Sequence, residues 1–397
     1  MVSFLDWTPT WVSRKMFKDG LLNPNEFARI RQWAYFVSKN DSEKVHELAL
    51  QILSDYTDIA EELSPRFKDI FPNLKVPLFG QNVLPIGPAE GLDKNAVALY
   101  SLSKFFGFVF WGTEVVNPRD GNQRPRVYAD ESNKEAYNAQ GFPSLGLNVG
   151  VKNLRGYRKK YEELGENAPP IGSSICGIPS QDENIAISLE IASKELEMLA
   201  TELGLLSDVI IWNPYSPNTK SLEQLRTEES FRENPGLIRK IVGRDKPILL
   251  KVGPYDDDKI KRRSALSLVN AFLEGGGNGV VAVNTYMVQR ENIPAPNWGY
   301  SSAGRSGGFL VDYRQRAIKD AREAFGKDVI IIGAGGTDRG NVFSAFEAGA
   351  NAVVSYTSHM FNGFGIVPEM LGEIDRGLKS KGYETLEQFQ RDGGFVK

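Results

Sequence analysis

Cysteine and histidine are almost missing from this 397-residue chain: it has one Cys, Cys176, and two His, His46 and His359. A lone cysteine excludes an internal disulfide and suits a reducing compartment. Two histidines so far apart in sequence argue against a histidine-built zinc site. No apolar run approaches the roughly eighteen residues of a membrane-spanning helix. No long basic block occurs and the net charge is −3, so the electrostatic footprint of a nucleic-acid binder is absent. The start, Met1 to Lys18, lacks the charged beginning and apolar middle of a signal peptide, and it is not Arg-rich like an organelle address. It does carry Trp7, Trp11 and Phe17. That segment reads either as an ordered or frayed arm or as an aromatic stretch lying at a membrane surface.

Hydrophobic residues make up 41% of the chain and charged ones 24%, the composition of an ordinary protein with a real core. The length admits two or three domains, but α/β barrels run past about 250 residues as one. Two amphipathic helices open the protein. Asn23-Pro24-Asn25-Glu26 supplies an N-cap, a proline at the first helical position and a glutamate in the capping-box place. Phe27, Ile30, Ala34 and Val37 follow at helical spacing. A second helix begins near Asn40 to Glu43, with an apolar stripe of Val45, Leu48, Ala49, Ile52, Leu53 and Tyr56. This pair either packs on the rest of the protein or leaves a greasy slot between its members. Residues 65–80 read as a connector. The expected division is a helical extension over 1–75 and a main domain over 76–397.

From about residue 82 short apolar runs alternate with amphipathic stretches. The runs are Val83–Gly87, Phe108–Val116, Pro170–Ile175, Asp208–Asn213, Pro247–Val252, Gly279–Asn284, Val329–Gly333 and Ala352–Tyr356. Helical patterns fall at 184–203, 221–242, 256–274 and 312–325. The alternation predicts a parallel α/β fold, either a (β/α)8 TIM barrel or a doubly wound open sheet. The barrel is favoured because nearly every run ends in Asn, Ser, Lys, Thr or Gly, and barrel active sites are assembled from strand ends. GxGxxG does not follow the first strand, which disfavours a dinucleotide site.

Val329 to Gly336 is a strand running into Gly-Ala-Gly-Gly, with a helix following at about Asn341. The next strand ends Ser355-Tyr356-Thr357-Ser358, and Gly304-Arg305-Ser306-Gly307-Gly308 adds another glycine-rich loop. Glycines let backbone N–H groups approach an anion, and barrels commonly hold a phosphate after strands seven and eight. Asn213-Pro214-Tyr215-Ser216-Pro217-Asn218-Thr219 offers two carboxamides and a hydroxyl within six residues, which suit a planar substrate that both donates and accepts hydrogen bonds; Val283-Asn284-Thr285 repeats that chemistry. Lys251, at a strand end, needs an anion or electron-rich ring as partner, and Lys94 follows the first strand. Together these residues predict an anionic-substrate pocket beside a phosphate site.

From about Asp41 to the end, roughly nine-tenths of the chain, the sequence resembles class 2 (quinone-linked) dihydroorotate dehydrogenase. The resemblance rests on Asp41–Leu48, Gly91-Leu92-Asp93-Lys94, Gly112-Thr113, Gly121 to Arg126, Asn138 to Phe142, Asn213 to Thr219, Lys251, Asn284-Thr285, Ser306-Gly307, Gly335-Gly336 and Tyr356-Thr357, all in order. It implies bound FMN, oxidation of (S)-dihydroorotate to orotate in pyrimidine biosynthesis, and electrons passed to a membrane quinone, with the protein peripheral on the inner (cytoplasmic or mitochondrial) membrane. By that resemblance Ser216 is the base that removes a proton beside the carbonyl while hydride goes to the flavin. Lys94, Asn138, Phe142, Asn213, Asn218, Asn284 and Thr285 bind the substrate. Ala89, Glu90, Gly91, Thr113, Ser174, Asn213, Lys251 and Val283 line the flavin ring, and Ser306, Gly307, Gly335, Gly336, Tyr356 and Thr357 hold its ribityl phosphate. A serine base is chemically weak, so it needs desolvation and help from a water or Thr219, with Phe142 closing the site.

Four places depart from the family's pattern. Glu90 stands where a small residue usually faces the flavin. Ser174 and Gly177 replace an asparagine and the lysine-containing loop after it, Val283 replaces a threonine, and Ala129 replaces an arginine of the quinone entrance. His46 reads either as a structural residue of its helix or as a quinone-site residue. Two further functions remain open: a divergent FMN barrel that uses another cyclic amide or electron acceptor, and a flavin- or phosphate-binding barrel without catalysis.

Overall fold

The structure is a computed structural model that describes residues 10–180, 184–216 and 218–394, with side chains from Ser13 onward. Trp7, the Trp11 side chain and Pro217 lie outside the described residues. Eight parallel strands form one sheet curled into a nearly closed (β/α)8 barrel. They are β1 (Ile86–Pro88), β2 (Val109–Glu114), β3 (Ile171–Ile175), β4 (Val209–Trp212), β5 (Ile248–Val252), β6 (Gly279–Ala282), β7 (Ile330–Ala334) and β8 (Ala352–Ser355). The pairing order is β1-β8-β7-β6-β5-β4-β3-β2. At the remaining seam the Gly107 N–H donates to the Ile86 carbonyl at 3.1 Å. Helices outside and packed side chains inside bury both faces of the strands, which is why they read as unbroken apolar runs.

Six of the eight expected runs contain their strand, and a seventh, Val329–Gly333, stops one residue short of the end of β7. The first is displaced: Val83 ends a short antiparallel hairpin, Val76–Leu78 with Gln81–Val83, and the barrel strand starts at Ile86. Pro85 lies between the two and lacks the N–H that would continue the ladder. The stretch expected as a connector therefore holds a short helix, Pro65–Lys68, and the first half of this hairpin. The helical patterns appear as Ile185–Gly204, Glu228–Val242, Lys259–Glu274 and Val311–Phe325, with a separate 3-10 turn at Lys220–Leu225.

Two features were not expected. A four-stranded antiparallel sheet is inserted after β2 and β6, in the order Tyr286–Gln289, Ser302–Ser306, Glu135–Asn138, Val127–Asp130. The N-terminal arm is helical from Thr10, giving α1 (Thr10–Leu22) ahead of α2 (Pro24–Val37) and α3 (Ser42–Asp55). Asn23 caps α2 by accepting the Asn25 N–H at 2.9 Å. Glu26 does not complete the capping box: it turns to Arg29, and the Asn23 N–H is taken by the Asp19 carbonyl. Asp41 caps α3 by accepting the N–H groups of Glu43 and Lys44.

A buried ion pair ties α3 to the barrel's strand-end face. Arg126 places Nη2 2.8 Å from Glu43 Oε1 and Nε 3.0 Å from Oε2, a two-point geometry that fixes orientation as well as charge. The guanidinium holds the Glu43 carboxyl below its usual range against the opposing effect of burial. Arg124 adds a more exposed bridge to Glu47. Among the described residues no helix is long and apolar enough to cross a membrane.

Candidate active site

At the C-terminal ends of the barrel strands a cavity of about 340 Å3 reaches from the asparagine-bearing loops to the glycine turns after β7 and β8. Of the residues expected to form the site, every one except Ser174 lines it. Ser174 is fully buried one step behind, its hydroxyl 2.9 Å from that of Thr113. Its hydroxyl is taken up by the neighbouring strand β2, while the adjacent Ser173 points to the opposite face and bonds Ser207 in the loop before β4. Ala129 lies on the inserted sheet and lines neither this cavity nor the second one described below.

The amide end is a bonded network. Asn213 donates from Nδ2 to Thr113 Oγ1 at 2.7 Å, and its Oδ1 accepts the Tyr215 N–H at 3.3 Å. Asn284 donates to the Tyr215 carbonyl at 2.8 Å. Across the cavity Asn218 donates to Asn138 Oδ1 at 3.0 Å, and Asn138 donates to the Gly304 carbonyl at 3.2 Å. Each carboxamide is thereby held in one orientation, with donors and acceptors presented to a planar ring. Asn138 comes from the inserted sheet, so that sheet forms one wall of the site.

Ser216, on the loop after β4, is 8% exposed. Its Oγ accepts the Asn218 N–H at 3.3 Å. Three residues on, the Thr219 hydroxyl is buried with no hydrogen-bond partner. Lys94 lines the same cavity. Burial pushes its ammonium down to about 8, while the Glu43 carboxylate acts in the opposite sense.

At the other end Gly307 and Gly336 adopt left-handed backbone, with φ of +119° and +68°. A Cβ on Gly336 would meet the Gly307 carbonyl at 2.7 Å, so the two turns approach as only glycine allows. Thr357 donates to Ser306 Oγ at 3.0 Å and ties the loops together. Beneath them Arg314, fully buried, donates to Thr337 Oγ1, to Asn341 Oδ1 and to the Asn341 carbonyl. Sequence reasoning missed this arginine, since nothing local distinguishes it from its helix neighbours. Between the two ends Lys251 Nζ lies 2.9 Å from Glu90 Oε2, both side chains buried, and Glu90 Oε1 has no partner.

The set fits a flavin mononucleotide. The glycine turns form a phosphate cradle, small residues (Ala89, Gly91) leave room for a flat ring, and a buried lysine stands between ring and phosphate ends. Cys176 takes no part: it is fully buried, burial pushes its thiol up, and it is absent from the lining.

A second cavity, about 160 Å3, lies among α1, α2, α3 and the short helix Thr357–Asn362. This is the greasy slot rather than a close-packed pair. Its walls are mostly apolar, but His46 and His359 both contribute buried Nε2 atoms without hydrogen-bond partners. Burial pushes His46 down to about 3 and His359 down to about 4, so both rings are neutral. Among the described residues, Tyr356 and no other aromatic residue lines both cavities. His359 was counted in the sequence but given no role; its being one of only two histidines was the available signal.

The family model for dihydroorotate dehydrogenase matches residues 73–378. A protein of Helicobacter acinonychis named dihydroorotate dehydrogenase (quinone) is 25% identical over 89% of this chain and 96% of its own. One of that name from Xylella fastidiosa strain M12 is 30% identical over 86% and 94%. A solved structure from Eimeria tenella, of a dihydroorotate dehydrogenase in complex with ferulenol, aligns with a TM-score of 0.70 at 24% identity, covering 84% of this chain and 93% of that one.

Proposed function

The chain belongs to the dihydroorotate dehydrogenase family, and on that premise we propose that it oxidises (S)-dihydroorotate to orotate with FMN and passes the electrons to a quinone. One observation carries this reading: Ser216, Lys94 and two pairs of hydrogen-bonded asparagines surround the same cavity as the glycine turns at Gly307 and Gly335-Gly336.

FMN, when bound, supplies a two-electron acceptor next to the substrate. The chain does the rest. Lys94 binds the substrate carboxylate, and the Asn138/Asn218 and Asn213/Asn284 pairs read the ring amides. Ser216, largely shielded from solvent, takes the proton beside the carbonyl as it hands its own hydroxyl proton on, and the Thr219 hydroxyl relays a proton from there to solvent. Gly307, Gly335, Gly336 and Thr357 hold the phosphate, and Lys251 offsets negative charge at the ring. Thr285, Val283 and Phe142 close the walls.

The quinone occupies the second cavity, where two neutral histidines offer hydrogen bonds to carbonyl oxygens within an apolar slot. Within the extension of residues 1–75, the helices from Thr10 to Lys68 act as its housing on the barrel domain of 76–397. The exposed Phe36 (81%) and its neighbour Val37 on α2 present apolar surface to the inner membrane, giving peripheral attachment. The Glu90–Lys251 pair and the withdrawn Ser174 favour a second reading, a divergent FMN barrel with another acceptor. Reducing the bound flavin with dihydroorotate without oxygen, then re-oxidising it separately with a quinone, fumarate and NAD, decides between them. Fastest re-oxidation by quinone is expected; fumarate or NAD working best selects the second reading.

A further inference from the structure

Glu90 is the most anomalous side chain in the active-site cavity. It sits in the 3-10 turn Glu90–Leu92 immediately after β1, 4% exposed, facing a lysine that is 6% exposed on β5. Oε2 is 2.9 Å from Lys251 Nζ, and Oε1 is buried without any donor. The asparagine amides that line the same cavity donate to other groups, Asn213 to Thr113, Asn284 to the Tyr215 carbonyl and Asn218 to Asn138, and none of them bonds Glu90. A buried carboxylate oxygen without a partner is costly. A molecule that fills the cavity can supply that partner, provided it brings a hydrogen-bond donor to Oε1. An isoalloxazine has one such group on its pyrimidine edge, the imide N–H.

We infer that Glu90 binds the flavin imide N–H through Oε1 while Oε2 holds Lys251, and that the pair sets the flavin's reduction potential. This rests on the FMN reading above. The ammonium of Lys251 alone would favour the negatively charged reduced ring. Glu90 places an equal and opposite charge beside it, so the ring feels a neutral pair rather than a lone cation. Low-dielectric surroundings make that difference large. Glu90 therefore makes the reduced flavin a stronger electron donor than Lys251 alone would.

Two variants separate hydrogen bond from charge. Glu90→Gln keeps an acceptor and the approximate size while removing the charge; Glu90→Ala removes both. In the FMN-loaded proteins both variants are expected to favour reduced over oxidised flavin by at least tenfold relative to the parent, a potential about 30 mV more positive for a two-electron couple. Apoprotein titrated with FMN and with 3-methyl-FMN should prefer FMN at least tenfold in the parent and in Glu90→Gln, and show no preference in Glu90→Ala. Unchanged potentials in both variants overturn the inference, as does equal binding of the two flavins by the parent. If the parent takes no flavin and Glu90→Ala does, Glu90 excludes the ring, and the inference fails while the FMN reading stands. If neither binds flavin, the FMN reading itself fails.

Discussion

His46 and Tyr356 meet edge to face, ring centroids 5.8 Å apart, and Tyr356 forms part of the wall between two cavities of opposite character. One side is rich in amides, glycines and buried charge; the other is apolar with two unpartnered histidine nitrogens. On the proposed reading, that arrangement separates the chemistry of the substrate from that of the acceptor while keeping them one aromatic ring apart.

Replacing His46 by Leu should therefore slow re-oxidation by quinone at least tenfold and leave dihydroorotate-driven reduction of the flavin unchanged. Rapid mixing of each half-reaction separately reads both rates. Equal losses in the two would place His46 in the barrel's stability rather than in acceptor binding.

The same histidines give a pH signature. Both have folded values far below the usual 6.5, so the unfolded chain binds more protons than the folded one once the pH drops below about 6.5. Stability from this source is full above that pH and is lost progressively down towards pH 3 to 4. The melting temperature should fall from pH 7 to pH 5, and by less in His46→Leu. A profile identical to the parent's would show that His46 is not buried as described.

Lys94 sets a different window. With its ammonium held down to about 8, the free protein loses that charge above pH 8, whereas a bound carboxylate favours the charged form. Orotate affinity should be level from pH 6 to 7 and weaken by about tenfold between pH 7 and 9, following the one-proton linkage. Isothermal titration at three pH values measures it, and Lys94→Gln should bind weakly with that dependence removed.

Arg126→Met would leave the buried Glu43 carboxylate with only the longer ion pair to the more exposed Arg124, whose Nε is 3.4 Å from Oε2. Breaking one partner of such a pair typically costs about 3–5 kcal/mol. The expected result is a lower melting temperature and proteolytic cleavage among α1 to α3 before the barrel is cut. Cleavage in the barrel first would mean that α3 is held by other contacts.

Much of the site was legible in the sequence because a barrel buries both faces of its strands. Apolar runs then announce the strands, and the polar residues that end them fall on one rim. Lys94, Asn213, Ser216, Lys251 and Asn284 were all found this way. The inserted sheet was not, since its strands are four or five residues long, partly exposed, and paired across wide gaps, as Gly304 is with Asn138. Pairings between distant residues were equally hidden. Glu90 and Lys251 each stood out, but 161 residues separate them, and nothing in either neighbourhood predicts their contact. Ser174 marks the opposite error: its position along the chain matched a ring contact, and its side chain turns to Thr113 instead.

The central claim is most directly tested by mixing the FMN-loaded protein with (S)-dihydroorotate in the absence of oxygen and following the loss of flavin absorbance. The account predicts rapid bleaching in the parent and a rate about 100-fold or more lower in Ser216→Ala, the range expected for a lost general base. A parent that binds FMN but is not bleached by dihydroorotate, or a Ser216→Ala variant bleached at the parent's rate, would contradict it.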